Sequence, residues 1–163
     1  NGHIVMTNGV LIVNGPTDSM NAAIDYGETG GTFKITGGTL VAVGSSMMAQ
    51  APSPENSTQY SVLVNFNSPQ PAKQLVNVQT VSGETVLTFR PTKGYQSIVF
   101  SSAELSTGEY KVFLGGTTTG TSNHGFYEDG AYTPGREHTT FTISGITTTV
   151  GNGGGWGGGW GGQ

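Results

Sequence analysis

Apolar and β-branched positions alternate with polar ones in short runs along this chain, and glycine-bearing corners separate the runs. The densest such stretch is 32–44. It predicts two short strands, 32–36 and 39–43, hinged on Gly37-Gly38, with apolar residues alternating through Phe33 and Ile35. The pattern occurs once before. A shift of 29 positions lays Ile4 on Phe33, Met6 on Ile35, Thr7 on Thr36 and Gly9 on Gly38. The same shift of 29 continues with Leu11 on Leu40, Ile12 on Val41 and Gly15 on Gly44. A strand–corner–strand unit recurring at a period of roughly 20–50 residues marks a solenoid, whose units bury their apolar sides by stacking on one another. Stable solenoids need about three units or more. Further neighbours are therefore expected from the rest of the chain, a longer parent or another subunit.

Taken in order, 1–15 is the first coil, with Asn8-Gly9 at its corner, and 16–31 is a loop-rich arc. After the second coil, 45–58 changes character. Met47-Met48, Pro52, Pro54 and many small polar residues read as an excursion across the surface that caps the coil end. From Tyr60 onward the period is lost and antiparallel signals take over. Strands are predicted over 61–66, 75–80, 86–90, 97–100, 110–114, 139–144 and 147–150, with turns at Ser82-Gly83-Glu84 and Pro91-Thr92-Lys93-Gly94. The expected fold class is all-β: a short parallel β-helix (solenoid) segment and its capping excursion over 1–58, an antiparallel β lobe over 59–150, and an extended Gly/Trp tail over 151–163.

Composition sharpens this picture. Only 10% of the 163 residues are charged and 28 are glycine, the profile of a β-rich surface kept soluble by hydroxyls and amides. Six Lys and Arg against a net charge of −4 argue against a nucleic-acid partner. With no cysteine, neither a disulfide framework nor a thiolate metal site can form. No apolar run approaches the roughly 18 residues of a membrane span. The chain opens on Asn1 without a signal-like segment, which reads as a processed or excised piece with any export signal outside it, and the expected location is extracellular or on the cell surface.

Several runs are similar to a known family. Ile35-Thr36-Gly37-Gly38-Thr39-Leu40-Val41-Ala42-Val43-Gly44-Ser45-Ser46 followed by Met48-Ala49-Gln50-Ala51-Pro52, then Tyr95-Gln96-Ser97-Ile98-Val99-Phe100-Ser101-Ser102, carry the first part of the likeness. Gly108-Glu109-Tyr110-Lys111-Val112-Phe113, Gly115-Gly116 and the stretch 139–150 carry the rest. Together they resemble the C-terminal part of secreted bacterial carbohydrate-binding-domain proteins with a right-handed parallel β-helix. The resemblance covers about residues 1–151. It implies binding of cellulose-like or pectin-like polysaccharide and calcium held by coil-loop carboxylates. The Asp-rich turns of that family's central coils are absent here.

Three groups of residues are candidates for chemistry. The arc of Asn14, Asp18, Asn21, Asp25 and Glu28 has oxygen donors of the kind Ca²⁺ takes, with Asp18, Asp25 and Asn21 the expected ligands. The same residues are default turn formers, and that reading stands beside the metal one. In the loop 117–136, Tyr127, Tyr132 or Phe126 offers a flat face to a sugar, and Glu128 and Asp129 would accept hydroxyl hydrogen bonds. A solvated loop is the plain alternative. A glycosidase pair would need two carboxyls across a cleft, whereas adjacent side chains point apart. No other catalytic constellation is visible, so the protein is not expected to be an enzyme. The third group is Trp156 and Trp160 in the Gly-rich tail, four positions apart and thus on one face of an extended chain.

Two functions follow. The first is a non-catalytic extracellular protein that binds a plant-type polysaccharide, with calcium as its one expected cofactor. The second is a structural subunit of an extracellular filament, whose partners are copies of itself, assembled by edge stacking and by docking of the tail.

Overall fold

The computed structural model describes residues 2–18 and 20–152. Beyond Asn152 the tail, with Trp156 and Trp160 and the docking expected of them, lies outside the described residues. The described residues form an all-β protein with no helix and several sheets, none closed into a barrel. The strands are β1 His3–Met6, β2 Val10–Asn14, β3 Thr32–Ile35, β4 Thr39–Gly44, β5 Ser61–Gln70, β6 Val76–Thr80, β7 Thr85–Phe89 and β8 Tyr95–Ser101. They continue with β9 Gly108–Leu114, β10 Thr117–Thr118, β11 Ser122–Asn123, β12 Phe126–Tyr127, β13 Tyr132–Thr133, β14 Arg136–Ile143 and β15 Thr147–Val150.

The 29-residue shift is the register of two parallel pairs. In β1–β3, Ile4 lies beside Phe33 and Met6 beside Ile35; in β2–β4, Val10 lies beside Thr39 and Leu11 beside Leu40. The corners stack as well. Gly38 has φ +89°, and a Cβ there would stand 2.7 Å from the Gly9 carbonyl oxygen, while the Thr39 N–H donates to that same oxygen at 2.8 Å. A side chain is thus excluded at Gly38 by both backbone conformation and close approach.

Beyond this pair of units the chain builds two larger sheets. One has five strands in the order β15-β5-β8-β4-β2, the other six in the order β11-β12-β7-β6-β9-β14. The five-stranded sheet is mixed: β4 is parallel to β2, β15 is parallel to β5, and β8 runs antiparallel between β4 and β5. It draws strands from both sides of residue 58, so hydrogen bonding is continuous there.

This sheet is covered on both faces, and the period of two shows it residue by residue. Val41 and Val43 of β4, Val62 and Val64 of β5, and Ile98 and Phe100 of β8 enter one core with Val76, Val78 and Phe89 of the six-stranded sheet. Their neighbours Leu40, Ala42, Leu63 and Val99 enter a second core with Met6, Phe33 and Ile35 of the β1–β3 pair. Strands buried on both faces read as unbroken apolar runs, which is why 40–43 carries no polar residue.

The outer edge of β3 is not left open. The Phe33 N–H donates to Ser53 Oγ at 2.9 Å and the Ile35 N–H to Ser57 Oγ at 3.0 Å. In return the Ser53 N–H donates to the Phe33 carbonyl at 2.8 Å and the Thr58 N–H to the Ile35 carbonyl at 3.0 Å. The Pro- and Ser-rich segment 53–58 thereby occupies the place of a third strand without being one.

Candidate functional site

The segment 117–136 is folded tightly by its own short strands. β10 pairs with β13, and β11 forms a hairpin with β12 that also meets β7 through Phe126 and Phe89. The hairpin turns on His124 and Gly125, with φ of +52° and +89°, the two-positive geometry of a tight hairpin. The Arg90 N–H donates to the Gly125 carbonyl at 2.7 Å and anchors the tip on the strand end. Asp129 Oδ1 accepts the Thr121 N–H at 2.8 Å, and the Thr119 hydroxyl accepts the Ala131 N–H at 2.9 Å. The loop is thus ordered by its own hydrogen bonds while Ser122, Asn123, His124, Glu128 and Asp129 stay exposed to solvent.

Anchored this way, the hairpin walls a cleft of about 440 Å³. Phe126, Tyr127 and Glu128 line one part, Thr85 to Thr88 of β7 another, and Ser102, Ala103 and Glu104 a third; Gly38 and Thr39 of the repeat corner complete it. Phe126 and Tyr127 are half-buried. The Arg90 Nε donates to the Tyr127 hydroxyl at 3.2 Å, which holds the ring in place. Thr88 and Thr85 are held from behind. Asn77 Nδ2 donates to Thr88 Oγ1 at 2.8 Å and to Thr85 Oγ1 at 3.3 Å, and Gln79 Nε2 donates to Asn77 Oδ1 at 2.8 Å. The Ser102 hydroxyl is shielded and has no partner among the described residues.

Of the sugar contacts expected from sequence, Tyr127 lines this cleft. Tyr132 is elsewhere: its hydroxyl donates to the Gly115 carbonyl at 2.7 Å and accepts the Gly135 N–H at 3.2 Å, and burial pushes that phenol up while the Gly135 contact opposes. Asp129 borders a separate hollow of about 250 Å³ with Thr121, Asn123 and Glu128. Thr39, Thr85, Thr88, Ser102 and Glu104 were not foreseen. They come from three separate segments, and nothing in their local sequence sets them apart from other strand-end hydroxyls and acids.

The acidic arc makes turns. Asp18 Oδ1 accepts the Met20 N–H at 3.0 Å and Asn21 Nδ2 at 2.9 Å, and Asp25 Oδ1 accepts the Gly27 N–H at 2.9 Å. The Asn21 amide presents its nitrogen to Asp18, whereas calcium takes six to eight oxygens. Among the described residues, no group of three or more His, Asp or Glu side chains is arranged to hold a metal ion. In this arrangement Asp18 and Asp25 each hold a local turn.

Two other titratable groups are perturbed. Tyr95 lines a hollow of about 110 Å³, its hydroxyl is buried with no partner among the described residues, and burial drives its phenol upward. His138 packs on Phe66 with ring centroids 4.9 Å apart, and desolvation, aided by the charge of Arg136, lowers its pKa. Among the described residues, no helix is long and apolar enough to cross a membrane. Compared with protein families, with curated proteins and with solved structures, the chain matches none.

Proposed function

We propose that this protein is a non-catalytic extracellular carbohydrate-binding protein, and that its ligand is a neutral polysaccharide lying in the cleft beside Tyr127. The observation that carries this reading is the lining itself. An aromatic pair, Phe126 and Tyr127, stands next to the hydroxyls of Thr39 and Thr85 and the carboxylates of Glu104 and Glu128. A sugar presents an apolar ring face to an aromatic and hydroxyls to acceptors, and the volume falls within the roughly 300–1,000 Å³ of small-ligand sites. No Lys, Arg or His is among the lining residues, so a uronate would face the carboxylates of Glu104 and Glu128. Cellulose-like chains fit this chemistry better than pectin-like ones.

The same reading takes 2–44 as two coils of a short parallel β-helix, supported by the 29-residue register and the stacked corners, with the antiparallel lobe carrying the cleft. A calcium ion is not needed for it. The test is affinity electrophoresis and calorimetry against soluble neutral β-glucans, xylan and polygalacturonate. Neutral glycans should bind, polygalacturonate should not, and Tyr127→Ala should weaken binding at least tenfold. Absence of binding to every neutral glycan, or indifference to Tyr127→Ala, refutes the reading. The filament is the second reading, favoured by one observation: among the described residues, Val5, Val10 and Leu11 of the first repeat unit are exposed large apolar side chains.

A further inference from the structure

Asn-Gly stands at both ends of β2, as Asn8-Gly9 in the corner before it and as Asn14-Gly15 where it ends. This dipeptide is open to a reaction of the chain with itself, because glycine has no Cβ to shield its nitrogen from the preceding side-chain amide. The structure treats the two pairs in opposite ways. At the corner the Gly9 N–H donates to Asn8 Oδ1 at 2.8 Å, so the side-chain amide lies beside the nitrogen that follows it. Asn8 and Gly9 are exposed, and among the described residues the Gly9 N–H makes no backbone hydrogen bond. Stacking in this repeat does not engage that nitrogen. In the second unit the Thr36 and Thr39 N–H groups donate to the Met6 and Gly9 carbonyls, while among the described residues the matching Gly38 N–H makes no backbone bond. A strand laid on the outer side of the first unit in the same manner would leave the Gly9 N–H as it is.

At the other end of β2 the same groups are occupied. The Gly15 N–H donates to the Val43 carbonyl at 2.7 Å, which extends the β2–β4 ladder, and Gly15 is buried against Ala23. Asn14 Oδ1 accepts the Thr92 N–H at 2.8 Å, which holds that side chain toward a different segment. A cyclisation there would have to break both bonds. We infer that Asn8 is a site of spontaneous covalent modification and that the fold protects Asn14 from the same reaction. The Gly9 nitrogen gives up its proton and bonds to Asn8 Cγ, the Cγ–Nδ2 bond breaks, and ammonia leaves, closing a succinimide ring. Proximity of the two reacting groups supplies the rate. Water then opens the ring. Attack at the main-chain carbonyl carbon gives isoaspartate and attack at Cγ gives aspartate, so water is the one co-reactant and nothing is oxidised or reduced. Isoaspartate lengthens the main chain between 8 and 9 by one carbon. That displaces the Gly9 carbonyl, which accepts the Thr39 N–H at 2.8 Å, and so loosens the corner stack.

The experiment is storage of the full chain at mildly alkaline pH, folded and in urea, with peptide mapping by mass spectrometry reading each asparagine separately. In the folded chain Asn8 should convert at least tenfold faster than Asn14, and isoaspartate should exceed aspartate. In urea the contrast should fall below threefold, because the bonds that protect Asn14 are gone. The melting temperature of the folded chain should drop as conversion at Asn8 proceeds. Asn8→Gln, whose longer side chain must close a larger ring, should keep its starting melting temperature through the same storage. Conversion of Asn14 as fast as Asn8 in the folded chain, an intact Asn8 while the urea-unfolded chain converts, or a contrast that persists in urea would each overturn the inference. So would a melting temperature that Asn8 conversion leaves unchanged.

Discussion

The two serines that close the β3 edge give the most direct test of how this fold ends its ladder. Phe33 is 1% exposed and Ile35 is 0% exposed, and their N–H groups have Ser53 Oγ and Ser57 Oγ as acceptors. Changing Ser57 to Ala removes one acceptor and leaves the Ile35 N–H inside the protein. A buried donor left unpaired costs about 1–3 kcal/mol, because its hydration was given up and nothing replaces it. The space vacated by one hydroxyl is smaller than a water, and Ser57 is itself only 8% exposed, so rescue by solvent is poor. Ser53→Ala should cost a similar amount through the Phe33 N–H. The pair shares one segment, so the double variant should depart from the sum. In urea, with a slope of about 2 kcal/mol per molar, each single variant should lower the midpoint by about 0.5–1.5 M. Far-ultraviolet circular dichroism follows the transition, and exposed Ser144→Ala is the control. If Ser53→Ala and Ser57→Ala move the midpoint no more than Ser144→Ala does, the hydroxyls are not what terminates the ladder and the reasoning fails.

Gly38→Ala should cost about 2 kcal/mol or more, because a Cβ at φ +89° meets the Gly9 carbonyl; a melting temperature within a degree of the parent would contradict the corner stacking. For His138 the folded pKa is lowered from 6.5, so the unfolded chain takes up the proton first as acid is added. Stability should be full above pH 6.5 and decline as pH falls through that value, down to the folded pKa; His138→Gln should lose this part of the pH dependence, read from melts at pH 7.5 and 5.5. Chelator should leave the melting temperature unchanged, since Asp18 and Asp25 are engaged in turns. A rise on adding calcium that disappears in Asp18→Asn and Asp25→Asn would restore those residues as ligands.

Much of the strand pattern was legible because a strand writes its two faces into alternating positions. The 29-residue shift was legible for a related reason. A parallel in-register ladder sets residue i beside i+29, so Ile4 and Phe33, Met6 and Ile35, and Leu11 and Leu40 share neighbours and share character. Turn chemistry was local too, as with the corner glycines Gly9 and Gly38 at φ of +86° and +89°.

Which edges meet is not local. Nothing in 95–101 says that β8 will lie between β4 and β5, because a backbone edge looks the same to every partner and the choice depends on how both cores fill. The four short strands in 117–136 were missed because two residues are too few to show a period. The cleft was beyond reach for the same reason as the sheet order. Tyr127 could be singled out as an aromatic in a polar loop, but Thr39, Thr85, Ser102 and Glu104 became its neighbours only when β7 and the hairpin tip were brought against the repeat corner. Sequence by itself determined the faces of strands and the places where the chain must bend. Tertiary structure decided which edges pair and which stay open, since that is set by packing summed over the whole chain.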